Sequence, residues 1–189
     1  MRTPVGSAPH EVRIIGGQWR RSRLPVADRP GLRPTPARVR ETLFNWLGQD
    51  LTGWQCLDAF GGSGALGFEA ASRGAARVLV VEQDPALAAS LRASRERLQA
   101  QAVQVQCADA LAVLRAQPAA SLDLVLLDPP FGSELLGPAL EAAARIVRPG
   151  GFVHAESPRP LASLPAGLEP WRQARAGQVH HVLLRRNTD

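Results

Sequence analysis

The sequence predicts an α/β fold in which helices wind a mostly parallel sheet and an antiparallel pair of strands closes it. Three observations carry that prediction. From residue 51 onward, short apolar runs of strand length alternate with longer helical patterns, as βα units of a parallel sheet do. The first of these strands passes into its helix through glycines at 61, 62, 64 and 67. Near the end, residues 171–175 and 179–185 are separated by only three residues, with the turn at Ala176 and Gly177. That gap is too short for another crossover helix, so the two runs pair antiparallel.

Each element has a local reason. Residues 12–24 read Val-Arg-Ile-Ile-Gly-Gly-Gln-Trp-Arg-Arg-Ser-Arg-Leu, two β-prone pieces flanking Gly16 and Gly17, which is a hairpin signal. The second piece sets Trp19 among Arg20, Arg21 and Arg23, a stacking surface beside guanidinium forks that suits phosphates and unstacked bases. The same Trp could equally pin the hairpin to the domain. Residues 25–36 are proline-rich and read as an extended linker, with Pro34 and Pro36 biasing Arg33 and Thr35 away from helix. From Ala37, a helix puts Val39, Leu43, Phe44, Trp46 and Leu47 on one face and Arg38, Arg40 and Glu41 opposite, and Gly48 ends it. Strands are then expected at 55–59, 77–82, 103–107, 122–128 and 151–155, with helices at 64–73, 85–100, 110–116 and 134–147. The chain thus divides into a basic extension, residues 1–50, and a main domain, residues 51–189.

The charge supports that division. Residues 1–40 carry nine arginines against Glu11 and Asp28, so the whole excess of the +5 net charge lies in the first fifth of the chain. Codon bias can explain the absence of lysine but not this asymmetry. A basic arm without an amphipathic lipid-facing helix points to a polyanion, nucleic acid before membrane. No apolar run approaches the ~18 residues of a membrane span, and residues 1–10 lack the apolar core of a secretory signal. Cys56 and Cys107 lack metal-ligand spacing and read as small buried hydrophobes in a reducing compartment. A cytoplasmic monomer without metal is the expectation.

In an open sheet of this kind the ligand lies beyond the carboxyl ends of the strands. Four acids fall there: Asp58, Glu82, Asp109 and Asp128 end or follow the first four strands. Gly62, Gly64 and Gly67 fit the dinucleotide pattern G-x-G-x-x-G, and the helix beginning near Gly64 aims its N-terminal dipole at the cleft. Glu82 can accept both hydroxyls of a ribose, and Asp109 an adenine amino group. These features admit either a nicotinamide dinucleotide or S-adenosylmethionine. Asp128-Pro129-Pro130-Phe131 decides between them. An acceptor-only carboxylate, a rigid turn with free carbonyls and an aromatic ring can take the amino group of a base, stack its ring and aim the nitrogen lone pair at an electrophile.

These residues resemble the (Asn/Asp)-Pro-Pro-(Phe/Tyr/Trp) signature of amino-group methyltransferases that use S-adenosylmethionine. More narrowly, the chain is similar to the RsmD family of bacterial 16S ribosomal RNA guanine-N2-methyltransferases. The likeness rests on residues 13–20 (Arg-Ile-Ile-Gly-Gly-Gln-Trp-Arg), 31–35 with 38–47, 56–67, 128–131 and 176–179. It implies a Rossmann-like class I methyltransferase fold of seven strands, the last antiparallel. It further implies that Asp58, Gly62, Gly64, Glu82 and Asp109, with Phe60 and Ala110 beside them, hold S-adenosylmethionine. Asp128, Pro129, Pro130 and Phe131 would hold the guanine. The hairpin residues Arg13, Trp19, Arg20, Arg21 and Arg23, with Arg33, Arg38 and Arg40, would grip 16S ribosomal RNA or a small-subunit particle. Two departures stand out. Phe60 replaces the loop's usual first glycine, and His180 and His181 follow Val179 where the family leads one to expect a Tyr. The paired histidines, with no third ligand near, read as strand residues. Rival readings are a DNA adenine-N6 methyltransferase, a nicotinamide oxidoreductase, and a nucleic-acid-binding protein with a dead cofactor site. The first lacks a target-recognition domain and the second gives residues 128–131 no purpose.

Overall fold

The computed structural model describes residues 10–30 and 32–188. Residues 1–9 of the basic arm, Gly31 of the second family motif and the last residue lie outside the described residues. The elements run β1 Glu11–Arg13, β2 Arg23–Pro25, α1 Ala37–Leu47, β3 Gln55–Asp58, α2 Ala65–Ser72, β4 Arg77–Glu82, α3 Pro85–Arg97, β5 Val103–Cys107, α4 Ala110–Ala116, β6 Leu122–Leu127, α5 Leu136–Ile146, β7 Val147–Ser157, β8 Leu168–Ala176 and β9 Val179–Arg186.

β1 and β2 pair as a small antiparallel ribbon, and the other seven strands form one sheet in the order β5-β4-β3-β6-β7-β9-β8. Neighbours from β5 to β7 are parallel, whereas β9 runs antiparallel to both β7 and β8 between which it lies. The winding reverses between β3 and β6, so a crevice opens beyond their carboxyl ends. Two apolar clusters cover the faces, as a doubly wound sheet requires. One packs the ribbon, α1, α2 and α3 residues (Val12, Leu24, Phe44, Phe68, Leu91) against Cys56, Val80 and Leu126. The other packs α4 and α5 (Val113, Leu114, Leu140, Ile146) against Leu57, Val125 and Val153. Among the described residues no helix is long and apolar enough to cross a membrane.

The extension departs from its sequence pattern in two instructive ways. Gly16 and Gly17 do not make a tight hairpin turn; they lie in a longer loop docked on α2. Gly17 has φ +75°, and a Cβ there would stand 1.9 Å from the Ser72 carbonyl oxygen. The Gln18 N–H donates to that carbonyl at 2.7 Å, the Trp19 N–H to Ser72 Oγ at 2.9 Å, and the Ser72 hydroxyl to the Gly16 carbonyl at 2.6 Å. Close backbone docking, not a turn, is what the glycine pair supplies.

The second departure is Arg40. Instead of facing solvent with Arg38, it is 2% exposed, donating to the Arg13 carbonyl at 2.7 Å, the Thr35 carbonyl at 3.2 Å and Glu69 Oε2 at 3.2 Å. It is therefore unavailable to grip RNA. The reason is Glu69, fully buried on α2, whose carboxylate takes the Ile15 and Gly16 N–H groups (2.9 and 2.8 Å), Arg40 and Arg73. A buried carboxylate stays charged at low cost only when its lone pairs are filled, and Arg40 fills one of them. Burial lowers the Arg40 pKa, with Glu69 opposing. Trp46, assigned to the apolar face, is half-buried and stacks on His181 at 5.0 Å.

Smaller differences follow from sheet position. Cys56, on central β3, is buried, but Cys107 is exposed because β5 is an edge strand. β7 starts at Val147, ahead of the expected strand, and the glycine-rich stretch at 150–151 is accommodated as an irregularity where Leu122 pairs with Val147 and Leu124 with Phe152.

Candidate active site

The crevice at the reversal is a cleft of about 640 Å³. Its floor is the loop after β3. Gly61 N–H donates to the Val81 carbonyl at 2.7 Å and Gly64 N–H to the Gly61 carbonyl at 2.7 Å, so the loop is tied to β4 and to itself. Gly62 N–H donates to Glu82 Oε2 at 2.9 Å, and Gly67 N–H, in the first turn of α2, to Asp58 Oδ2 at 3.0 Å. Gly67 must lack a side chain: a Cβ would fall 2.7 Å from Val80 Cγ2 and 3.1 Å from Asp58 Oδ2. Phe60, Gly62, Glu82, Asp109 and Ala110 line the cleft with Asp58. Gly64 is turned instead toward Leu91 and Phe68, behind the loop.

The strand ends deliver five carboxylates, not four. Following the sheet from β5 to β7, they are Asp109, Glu82, Asp58, Asp128 and Glu156. Glu82 Oε1 accepts from the Asp84 N–H at 2.9 Å, and Asp109 Oδ1 caps α4 through the Ala112 N–H at 2.8 Å. Asp58 has one oxygen on Gly67 and the other, Oδ1, buried without a partner. Asp128 Oδ2 accepts only from the Thr35 hydroxyl, at 3.2 Å. Glu156 is 3% exposed and its Oε1 has no partner.

Burial therefore dominates the electrostatics here. Desolvation pushes Asp58 up to about 7, with the Gly67 N–H pulling the other way and Asp128 adding like-charge repulsion. Desolvation likewise raises Asp128 to about 6, with Thr35 opposing. Glu156 is raised well above the ordinary carboxylate value, first by desolvation and then by Asp128. Such a floor favours a cationic guest and disfavours a phosphate.

Pro129 is buried, Pro130 exposed, and Phe131 stands 53% exposed at the lip of the cleft. Arg33 and Thr35 of the extension complete the rim. Arg13, Arg20, Arg21, Arg23 and Arg38 lie exposed, with Arg23 on Glu11 at 3.0 Å, while Trp19 is half-buried against the first core cluster. His154 and His181 meet edge to face within the sheet, and burial pulls His154 down to about 3. Among the described residues no group of three or more His, Cys, Asp or Glu is placed to hold a metal ion.

Sequence reasoning did not assign Glu156, Thr35, Gln178 or Val179, all of which line the cleft. Glu156 carried a readable signal, since it directly follows the expected strand 151–155, and the other four acids also end or follow strands. Thr35 and Gln178 carried only a motif-level signal, since both lie in stretches that bear the family likeness, 31–35 and 176–179, without a residue-level role.

The comparisons with known proteins agree with this architecture. Residues 12–185 match the family described as Conserved hypothetical protein 95. The chain is similar to Ribosomal RNA small subunit methyltransferase D of Escherichia coli (strain K12), 41% identical over 98% of this chain and 96% of that one. The protein of that name in Haemophilus influenzae is 40% identical over 83% of each chain. A solved structure described as putative methyltransferase yhhF from Escherichia coli superposes with a TM-score of 0.84 at 38% identity, covering 95% of this chain and 99% of that one. The chain is a methyltransferase and belongs to the Conserved hypothetical protein 95 family, that of the RsmD ribosomal RNA methyltransferases.

Proposed function

We propose that this protein transfers a methyl group from S-adenosylmethionine to the exocyclic N2 of a guanine in small-subunit ribosomal RNA. The observation that carries the choice of donor is the state of the glycine loop. The three N–H groups a pyrophosphate would need are already taken: Gly62 by Glu82, Gly64 by Gly61, and Gly67 by Asp58. The acids around them repel a dinucleotide but suit a sulfonium and an ammonium group. A cleft of about 640 Å³ has room for the donor beside a base. Glu82 would hold the ribose hydroxyls, Asp109 and the backbone at Ala110 the adenine edge, and the unpartnered Asp58 Oδ1 the cationic methionine end.

When bound, the donor supplies an electrophilic methyl group and departs as a neutral thioether. The protein's part is positioning, which supplies ~7–11 kcal/mol in favourable cases. Asp128 and the Pro129 carbonyl accept from the N2 amino group while Phe131 stacks on the base. Together these contacts hold the lone pair free of the aromatic system and pointed at the methyl carbon. As the C–N bond forms, N2 becomes acidic and Asp128 takes its proton. A carboxylate raised to about 6 is a suitable acceptor near neutral pH. The guanine must be unpaired or flipped to reach this depth. The exposed arginines of the ribbon and Arg33 at the rim would hold the surrounding RNA by its phosphates, as expected for a cytoplasmic enzyme of this class.

The test compares modified nucleotides in small-subunit ribosomal RNA from strains with and without the gene. One N2-methylguanine is expected to disappear and to return when purified protein and S-adenosylmethionine are added. Identical modification maps from the two strains would refute the reading.

A further inference from the structure

Glu156 is the one buried carboxylate of the cleft that neither the donor site nor the Asp128 turn uses. It lies near the end of the fifth parallel strand, next to β6 in the sheet, and so on the far side of Asp128 from Asp58 and Glu82. It lines the same cleft as Asp128 and Phe131, is 3% exposed, and its Oε1 meets no donor. Thr35, whose hydroxyl donates to Asp128 at 3.2 Å, also faces Glu156. His181 stands opposite it on β9, with its own ring lying against Trp46 and His154. Thr35 can serve only part of this carboxyl, and the dry, unpartnered Oε1 is left open to a donor from outside the chain.

The Watson–Crick edge of guanine offers one. Beside the N2 amino group lies N1–H, a donor, whereas adenine presents a bare N1 acceptor beside its N6 amino group. N2 is flanked by N1 and N3, and a base held by Asp128 and Pro129 can be turned so that N1 faces the β7 side of the pocket, where Glu156 lies. We propose that Glu156 is a specificity-determining residue that accepts a hydrogen bond from guanine N1–H, so that guanine is admitted and adenine refused by a signature the two chemistries share. This rests on the reading of the site as a guanine-N2 methyltransferase and extends it to how the base is chosen.

The test uses ribosomal RNA carrying either guanine or 2,6-diaminopurine at the target position, installed by splinted ligation. Diaminopurine keeps the N2 amino group but has no N1–H. The wild-type chain should prefer guanine by about 10-fold or more in kcat/KM, since leaving a buried acceptor facing a lone pair forfeits a hydrogen bond to an ionisable group. Glu156→Ala should lose about 10- to 100-fold on guanine and bring the two substrates to near equality. Glu156→Gln, which keeps shape and an acceptor oxygen, should retain more guanine activity than the Ala variant. It also serves as the folded control if that variant melts. S-adenosylmethionine affinity by calorimetry should change by less than about 2-fold, because the residue lies off the donor side. An unchanged guanine preference in both variants would overturn the inference, as would a matching loss of donor affinity. If the wild-type chain methylates no guanine, the functional reading falls and this inference with it. Methylation with a Glu156-independent preference sinks the inference alone.

Discussion

The two halves of the cleft satisfy their carboxylates in opposite ways. On the donor side, Glu82 has both oxygens on main-chain N–H groups and Asp109 caps a helix. On the acceptor side, Asp128 has one long bond from a hydroxyl and Glu156 Oε1 has none. Asp58 stands between, half satisfied. A half built from satisfied groups is rigid before its ligand arrives. One built from hungry acceptors is completed by its ligand and discriminates among ligands by what they donate. The acceptor side also borrows Thr35 and Arg33 from the extension, whereas the donor side is made mainly by the sheet and its first loops.

The largest expected effect follows from removing the central hungry acceptor. Asp128→Ala should cut methylation of ribosomal RNA by about 10²–10⁴-fold, the range associated with a positioned acid–base group. Donor affinity, measured by calorimetry, should hold. A folded variant with near-normal turnover would erase the distinction between the halves.

The next effect tests the borrowing. Glu69 holds Arg40, which holds the Thr35 carbonyl, so the acceptor side hangs on a buried ion cluster. Glu69→Ala leaves Arg40 and Arg73 buried without their anion and should cost about 3–5 kcal/mol in urea unfolding. In whatever fraction stays folded, methylation should fall more than donor affinity. Equal losses would mean that the extension supports both halves alike.

This cluster also shows what was legible beforehand. The order of strands and helices could be read because apolar periodicity and short connections leave few alternatives, and four strand-end acids could be read because polar residues close apolar runs there. Arg40 could not be read correctly. Its burial depends on Glu69, 29 positions away, and amphipathic patterning treats any arginine as a surface residue. Thr35 escaped for a related reason: it lies in a stretch that bears the family likeness, but its role is a contact with Asp128 across 93 positions that the stretch does not name. The hairpin glycines were recognised, but their purpose was tertiary, a fit against Ser72.

A third effect concerns pH. Asp58 at about 7 and Asp128 at about 6 both lie above the ordinary value of 3.8, so between about pH 4 and pH 7 the folded chain binds more protons than the unfolded one. Stability of the protein without ligand should therefore rise as pH falls, by on the order of 3 kcal/mol from pH 7 to pH 5. Bound cationic donor should shrink that gain by favouring the ionised carboxylates. Urea midpoints that decline over the same interval would show these acids to be satisfied after all.

Glu82→Ala sharpens the comparison from the donor side. It removes the proposed ribose acceptor and frees the Gly62 N–H, so affinity for S-adenosylmethionine should fall about 10- to 100-fold. Unchanged affinity by calorimetry would remove Glu82 from the ribose site. Turnover at saturating donor should change less than affinity does.

The smallest effect separates the extension's support of Thr35 from its proposed contact with RNA. Arg20 and Arg21 are exposed in the docked loop, and the bonds there run through main chain, Arg20 N–H to Gly17 and Arg21 N–H to Ile14. Arg20→Ala with Arg21→Ala should leave stability within about 0.5 kcal/mol and leave donor affinity untouched. If the loop meets phosphates, RNA affinity should drop a few-fold and the slope of log affinity against log salt should shallow by about 1.5, as for two lost contacts. An unaltered salt slope would confine the extension to its scaffolding duty. Its basic charge would then be incidental to the acceptor side it helps to build.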